Sequence, residues 1–196
     1  MSEVLNAKVT NSDENAGFSR RRVVKGVAWS VPVIVTAIAA PAAAASGLHA
    51  TAGLVGAGST VALVSSAGTG SGTNRTGAGP TAFQIQNAGG AINGPISGTI
   101  TITPVGTVGA GLGVQSILPA ALAAPSYSAA HAYSASFTYT AGVASGQTAN
   151  LPIQFQYETV NPLPKKGLVY SYDMTMTVTL PDATTQVLAA QLTVTF

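Results

Sequence analysis

The chain has 196 residues, of which 7% are charged and 46% hydrophobic, with a formal net charge of +2 and no cysteine. The charge density lies well below the roughly 25% of ordinary soluble domains, and the missing cysteines exclude disulfides and a lipidated N-terminal cysteine. Lys8, Arg20, Arg21, Arg22 and Lys25 precede the first long apolar run, so that after Ser46 only Arg75, Lys165 and Lys166 stand against Glu158, Asp173 and Asp182; this neutral remainder has no basic surface of the kind that holds nucleic acid.

The first element is a leader. Basic residues, an apolar run from Gly26 to Ala45 and small residues at its close have the organisation of a secretory signal peptide. The run is long enough to span a bilayer, but it contains Pro32 and Pro41, ends in alanine and is followed by no basic cluster. Ala43 and Ala45 offer the small side chains a signal peptidase accepts, which places cleavage before Ser46; Ala42 to Ala44 offers a site one residue earlier. Pro41 breaks the helix upstream and presents the site extended. Ser19-Arg20-Arg21-Arg22-Val23-Val24-Lys25 resembles the twin-arginine export motif, with Val23 and Val24 in its two apolar places. The resemblance implies a twin-arginine translocase and a signal peptidase as partners during export, and cargo that folds before it crosses. The expected organisation is a signal-peptide helix over 1–45 and one domain over 46–196, secreted or at the cell surface. Sec export and a retained leader that tethers the protein to the membrane are the alternatives.

The body of about 150 residues is long enough to bury roughly 68–70% of its unfolded surface. Alternation of apolar and polar residues predicts strand after strand. A short candidate covers Thr60 to Ser65, and a Gly-, Ser- and Thr-rich stretch over 67–80 follows, expected as a flexible loop. Phe83 and Ile85 alternate with Gln84 and Gln86, and Ile100 and Ile102 with Thr99, Thr101 and Thr103. A weaker strand is expected over Val114 to Leu118, within a stretch from Val108 to Tyr127 that reads as a long crossover or as holding one short helical turn. Ala135, Phe137 and Tyr139 then face inward, followed by Ile153, Phe155 and Tyr157 opposite Gln154, Gln156 and Glu158. The clearest pattern is Val169 to Leu180, where Tyr170, Tyr172, Met174, Met176, Val178 and Leu180 share one face; Leu192, Val194 and Phe196 repeat it. Gly-, Asn- and Pro-rich turns separate these segments. One apolar and one wet face per strand predicts an all-β fold, an antiparallel β-sandwich with seven to eight strands in the immunoglobulin-like manner. Segments 83–104 and 136–157 are similar to Ig-like repeats of bacterial surface proteins, through an Asn-x-Gly corner and a Ser-Gly-Gln turn before a strand.

Few residues carry chemistry. Gly109-Ala110-Gly111-Leu112-Gly113 lacks the further glycine, lysine and following helix of a phosphate loop, and His49 and His131 stand in no metal-ligand spacing. No cofactor, metal or catalytic residue is expected. Lys165 and Lys166 lie in a Pro-bounded turn that is solvated or touches an anionic wall polymer. Tyr127 and Tyr133, outside the clean strands, are candidates for a binding rim. The expected role is a non-catalytic surface or secreted module that is structural, adhesive or binds an extracellular ligand or envelope polymer. The alternative is a secreted hydrolase using His131 with a carboxylate, which requires the two within hydrogen-bond reach; a surface module would leave His131 isolated. Replacing Arg20 and Arg21 together by Lys is expected to retain the protein inside the cell with its leader intact, whereas N-terminal sequencing of the exported wild type is expected to begin at Ser46.

Overall fold

A computed structural model describes residues 49–67 and 74–196; the expected leader helix, the export motif and the cleavage site lie outside these residues. The described chain is all-β and contains no helix. Twelve strands follow in order: β1 (Ala50–Val55), β2 (Ser59–Ser65), β3 (Arg75–Gly79), β4 (Ala82–Asn87), β5 (Ile96–Pro104), β6 (Leu112–Ile117), β7 (Ala121–Leu122), β8 (Ser126–Tyr127), β9 (Tyr133–Tyr139), β10 (Thr148–Tyr157), β11 (Val169–Thr179) and β12 (Thr185–Thr195). Each segment singled out by alternation is a strand. β3 corrects the expected loop over 67–80: Arg75–Gly79 is an interior strand, paired with β2 on one side and β12 on the other.

Strand β10 belongs to two ladders. Its first residues, Thr148–Pro152, pair antiparallel with β4, which carries β1 on its other edge. Its last residues, Ile153–Tyr157, pair antiparallel with β6, and Phe155–Tyr157 also pair parallel with β2. From β2 the order continues β3, β12, β11, β5, β9, with the short β7 and β8 both beside β9. The changeover falls at Pro152, which has no N–H to donate, and a register shift at Gln154/Phe155 bends the strand further. Below the bend, the Pro152 carbonyl accepts from Leu118 and the Ile153 N–H donates to Thr81, so the backbone stays satisfied where the strand leaves one ladder for the other.

The alternation places the core. Ile96, Gly98, Ile100 and Ile102 of β5 are buried while Ser97, Thr99, Thr101 and Thr103 are exposed. Tyr172, Met174, Met176 and Val178 of β11 and Leu188, Ala190, Leu192 and Val194 of β12 point the same way. The buried faces of the two ladders meet where Phe83 of β4 packs edge to face on Phe137 of β9, with ring centroids 5.7 Å apart. Phe137 also lies over Gly98 of the neighbouring strand: a Cβ there would come within 2.4 Å of the ring and 2.7 Å of the Thr177 carbonyl oxygen. The open edge of β1 is closed by a side chain, since Gln186 of β12 accepts from the Ala52 N–H and donates to the Ala50 carbonyl. At the β11–β12 turn, the Thr184 hydroxyl and then its N–H donate to Asp182, holding that carboxyl below its ordinary range.

The strands define two ends. β10 finishes, β11 begins and β12 finishes at one end, beside Phe196; the β11–β12 turn and the start of β10 lie at the other, beside Asn87. Gly98→Ala is expected to lower stability by ~1–3 kcal/mol, because neither Phe137 nor the β11 backbone can withdraw without opening the core; a lower urea midpoint with an unchanged slope is the measurement.

Candidate functional site

The glycines of Gly109-Ala110-Gly111-Leu112-Gly113 lead into β6 and lie flat against aromatic rings. A Cβ on Gly111 would meet the Tyr127 ring at 2.7 Å and the His131 carbonyl oxygen at 2.6 Å; one on Gly113 would meet the Tyr133 ring at 2.5 Å and the Tyr127 hydroxyl at 2.6 Å. The run is thus a shelf on which tyrosines sit, and its missing side chains are a packing requirement. Tyr133 donates to the Val114 carbonyl at 2.6 Å, and Tyr172 to the Ala110 carbonyl at 2.5 Å. The Tyr127 and Tyr133 rings lie 5.3 Å apart. Tyr133 is buried in the core and so is no rim residue, whereas Tyr127 is half-buried against it. The shelf also explains Gln156, which alternation places outward but which is buried: its cross-strand partner is Gly113, and the tyrosines cover both.

Burial holds the tyrosine hydroxyls in their neutral form. Tyr133 is pushed up to about 12 by burial. Tyr127 is raised further by burial and then by Tyr133, and Tyr172 by burial and then by Tyr170. The buried Tyr127 hydroxyl has no hydrogen-bond partner, although Gln156 lies near enough to offset part of the effect of burial.

His131 sits on the rim of this shelf, in the turn between β8 and β9. Its backbone is in the left-handed region, at φ 61°, a conformation that costs a non-glycine residue free energy and persists only when the surroundings fix it. Ser128 fixes it: its carbonyl accepts from the His131 N–H, and its hydroxyl accepts from the N–H groups of Ala130 and Ala132. The result is that the His131 Nδ1 stands 2.6 Å from Oε2 of Glu158, just past β10. The same oxygen accepts from the Gly111 N–H at 2.8 Å, and the Glu158 N–H donates to the Gly111 carbonyl. With Glu158 as acceptor, Nδ1 carries the hydrogen and Nε2 is the remaining ring nitrogen. His131 is therefore not isolated, contrary to the expectation for a surface module, and it makes the contact that the hydrolase alternative requires. Of the three acids after Ser46, Glu158 is the one that meets it; Asp173 lies instead on the outer face, opposite Thr103 and Gln191.

The other sequence candidates fall elsewhere. The His49 carbonyl accepts from Ala88 near the Asn87 end, far from the shelf. Among the described residues no three His, Cys, Asp or Glu side chains group to hold a metal ion, and His131–Glu158 is the only ion pair. Lys165 and Lys166 are exposed in the loop between β10 and β11. Arg75 was given no role by the sequence, yet its guanidinium lies 5.6 Å from the Tyr157 ring centre and 5.7 Å from that of Phe196, with a buried Nε that has no acceptor. No family model, curated protein or solved structure matches the chain.

The raised tyrosines set an alkaline limit. A tyrosine that ionises near 10 when unfolded and higher when folded contributes stability below the unfolded value, and loses it as pH rises through the folded one. The urea midpoint is therefore expected to hold to about pH 9 and to fall as pH climbs from about 10 toward 12, with tyrosinate absorbance rising in step with unfolding. Tyr133→Phe is expected to soften that fall.

Proposed function

We propose that the chain is a non-catalytic module exported by the twin-arginine route, an immunoglobulin-like β-sandwich with a structural, adhesive or binding role outside the cytoplasmic membrane. The leader's Arg20-Arg21 pair supports export, and the Phe83–Phe137 contact between the two ladders supports the sandwich. The strand order also contains one parallel pairing, that of β2 with β10, between antiparallel neighbours. The observation that carries a non-catalytic reading is the use made of Glu158. One carboxylate oxygen joins the chain before β6, the chain before β9 and the end of β10, and the neighbouring serine, Ser128, has its hydroxyl engaged by two backbone N–H groups. The arrangement fastens loops together, and no nucleophile stands assigned beside it.

The hydrolase reading draws on the same contact. A carboxylate on Nδ1 is how a catalytic base is oriented, with Nε2 left for the proton of a nucleophile. His131→Asn separates the two readings, because asparagine accepts the left-handed backbone but offers no base. The wild-type protein and this variant are expected to leave p-nitrophenyl acetate and p-nitrophenyl glycosides at the background rate, and protease added to intact cells is expected to remove the protein. Turnover by the wild type that His131→Asn abolishes would establish the hydrolase instead.

A further inference from the structure

The Phe196 end brings exposed apolar side chains and cations together, whereas Val55, Leu118 and Val187 are exposed elsewhere without a cation beside them in sequence. Of the large apolar side chains that are exposed, Val105, Leu163, Leu168 and Val169 lie at this end: Val105 donates to the Ser171 carbonyl, and Leu163 and Leu168 lie in the loop joining β10 to β11, where Val169 begins. The three cations of the described chain are there as well. Lys165 accepts from the Leu168 N–H, Lys166 follows it, and the next residue, Gly167, donates to the Phe196 carbonyl. Arg75 lies over the Phe196 ring. The acids are placed otherwise. Asp182 is in the turn at the opposite end and Asp173 is farther along the outer face. Glu158 is turned toward the Gly111 N–H and His131 and is only 19% exposed.

Exposed aliphatic side chains beside Lys165 and Lys166, which no ion pair among the described residues engages, fit neither a core nor an ordinary wet loop. Water solvates Lys165 and Lys166 well but gains nothing from the neighbouring Leu168 and Val169, whose exposed apolar surface an apolar medium would cover. A soluble polyanion satisfies the cations and leaves the aliphatics wet. A bilayer with anionic headgroups satisfies both: the aliphatics enter the boundary of headgroups and acyl chains, and the cations meet lipid phosphates.

We propose that the Phe196 end is a docking surface for anionic phospholipid bilayers, with the 161–169 loop inserted shallowly and Arg75, Lys165 and Lys166 on the headgroup phosphates. This does not rest on the absence of catalysis. Two single-tryptophan reporters test it in the full chain, where Trp29 is the only tryptophan. In a Trp29→Phe background, Leu168→Trp reports the Phe196 end, and Val187→Trp, an exposed apolar site toward the other end of the sheet, reports whether the leader alone brings the protein to lipid.

Vesicles of phosphatidylcholine with phosphatidylglycerol are expected to shift the Leu168→Trp emission to the blue and leave the Val187→Trp emission in place, while phosphatidylcholine alone shifts neither. Adding Lys165→Gln and Lys166→Gln is expected to weaken the partition by about tenfold or more, given the attraction of each charge to an anionic surface. An unmoved Leu168→Trp emission overturns the proposal, as does an equal shift at both positions. Salt-sensitive binding to soluble poly(glycerol phosphate) with no shift on vesicles overturns it in favour of an anionic polymer. Circular dichroism matching the wild type keeps a folding defect from being read as a binding one.

Discussion

The division of β10 between two ladders is the constraint on which the rest depends. A single strand that pairs with β4 over its first half and with β6 and β2 over its second ties the small ladder to the large one through covalent backbone. In a chain without cysteine no cross-link can do this. Pro152 and the bulge at Gln154/Phe155 set the bend, and the bend brings the inner face of β4 onto that of β9. Leu151, Ile153 and Phe155, on either side of it, are all buried, so the strand that changes partners is also held on its apolar side throughout.

The same bend brings the end of β10 under the glycine shelf, and with it Glu158 beside Gly111 and His131. The left-handed backbone of His131 is the costly feature there. It is compensated by the Ser128 turn and by a charge-assisted bond to Glu158, which is stronger than a neutral one. The tyrosines add burial and two short hydroxyl bonds to carbonyls that would otherwise face apolar surroundings, which polar groups enter only at a cost. Each part of the shelf thus answers a need of another part, and this is why a histidine–carboxylate pair in this position can be accounted for as architecture.

The legible and illegible parts of the fold divide along a physical line. Strands β5, β9, β11 and β12 read clearly because each has one wet and one buried face, so period-two alternation is written into side-chain chemistry. β3 did not, because its residues answer to backbone proximity: a Cβ at Gly77 would lie 1.9 Å from the Thr193 carbonyl oxygen, and the glycine that this demands looks like loop. β1, Ala50–Val55, was hidden for a related reason, since Ala52 is its one buried side chain and its outer edge is satisfied by Gln186 from far along the chain. Gln156 was misplaced because alternation assumes that only one face is covered, and the tyrosines cover the second. For the site, the His131–carboxylate contact was legible as a possibility, since few acids exist to meet it. The shelf was not: three glycines and an alanine around Leu112 say that something approaches closely, but not that it is aromatic.

Scarcity of charge gives the surface its character. The outer faces of β5, β9 and β11 are mostly Ser and Thr, and Thr99, Thr101 and Thr175 stand in cross-strand rows with Ser134, Ser136 and Thr177. Hydroxyls solvate such a face and pair across strands, yet they create no field and leave little for an anionic partner to recognise at a distance. On a surface of that kind a few cations that share one end weigh more than they would among many. Their neighbours decide what they suit. Cations set among threonines would belong to the wet face; cations set among Leu163, Leu168 and Val169 border a surface that water covers poorly. The ordering of the fold makes this distinction physical, because the loop that carries them joins the two strands whose buried faces end at Phe196, and apolar side chains there have no remaining core to enter.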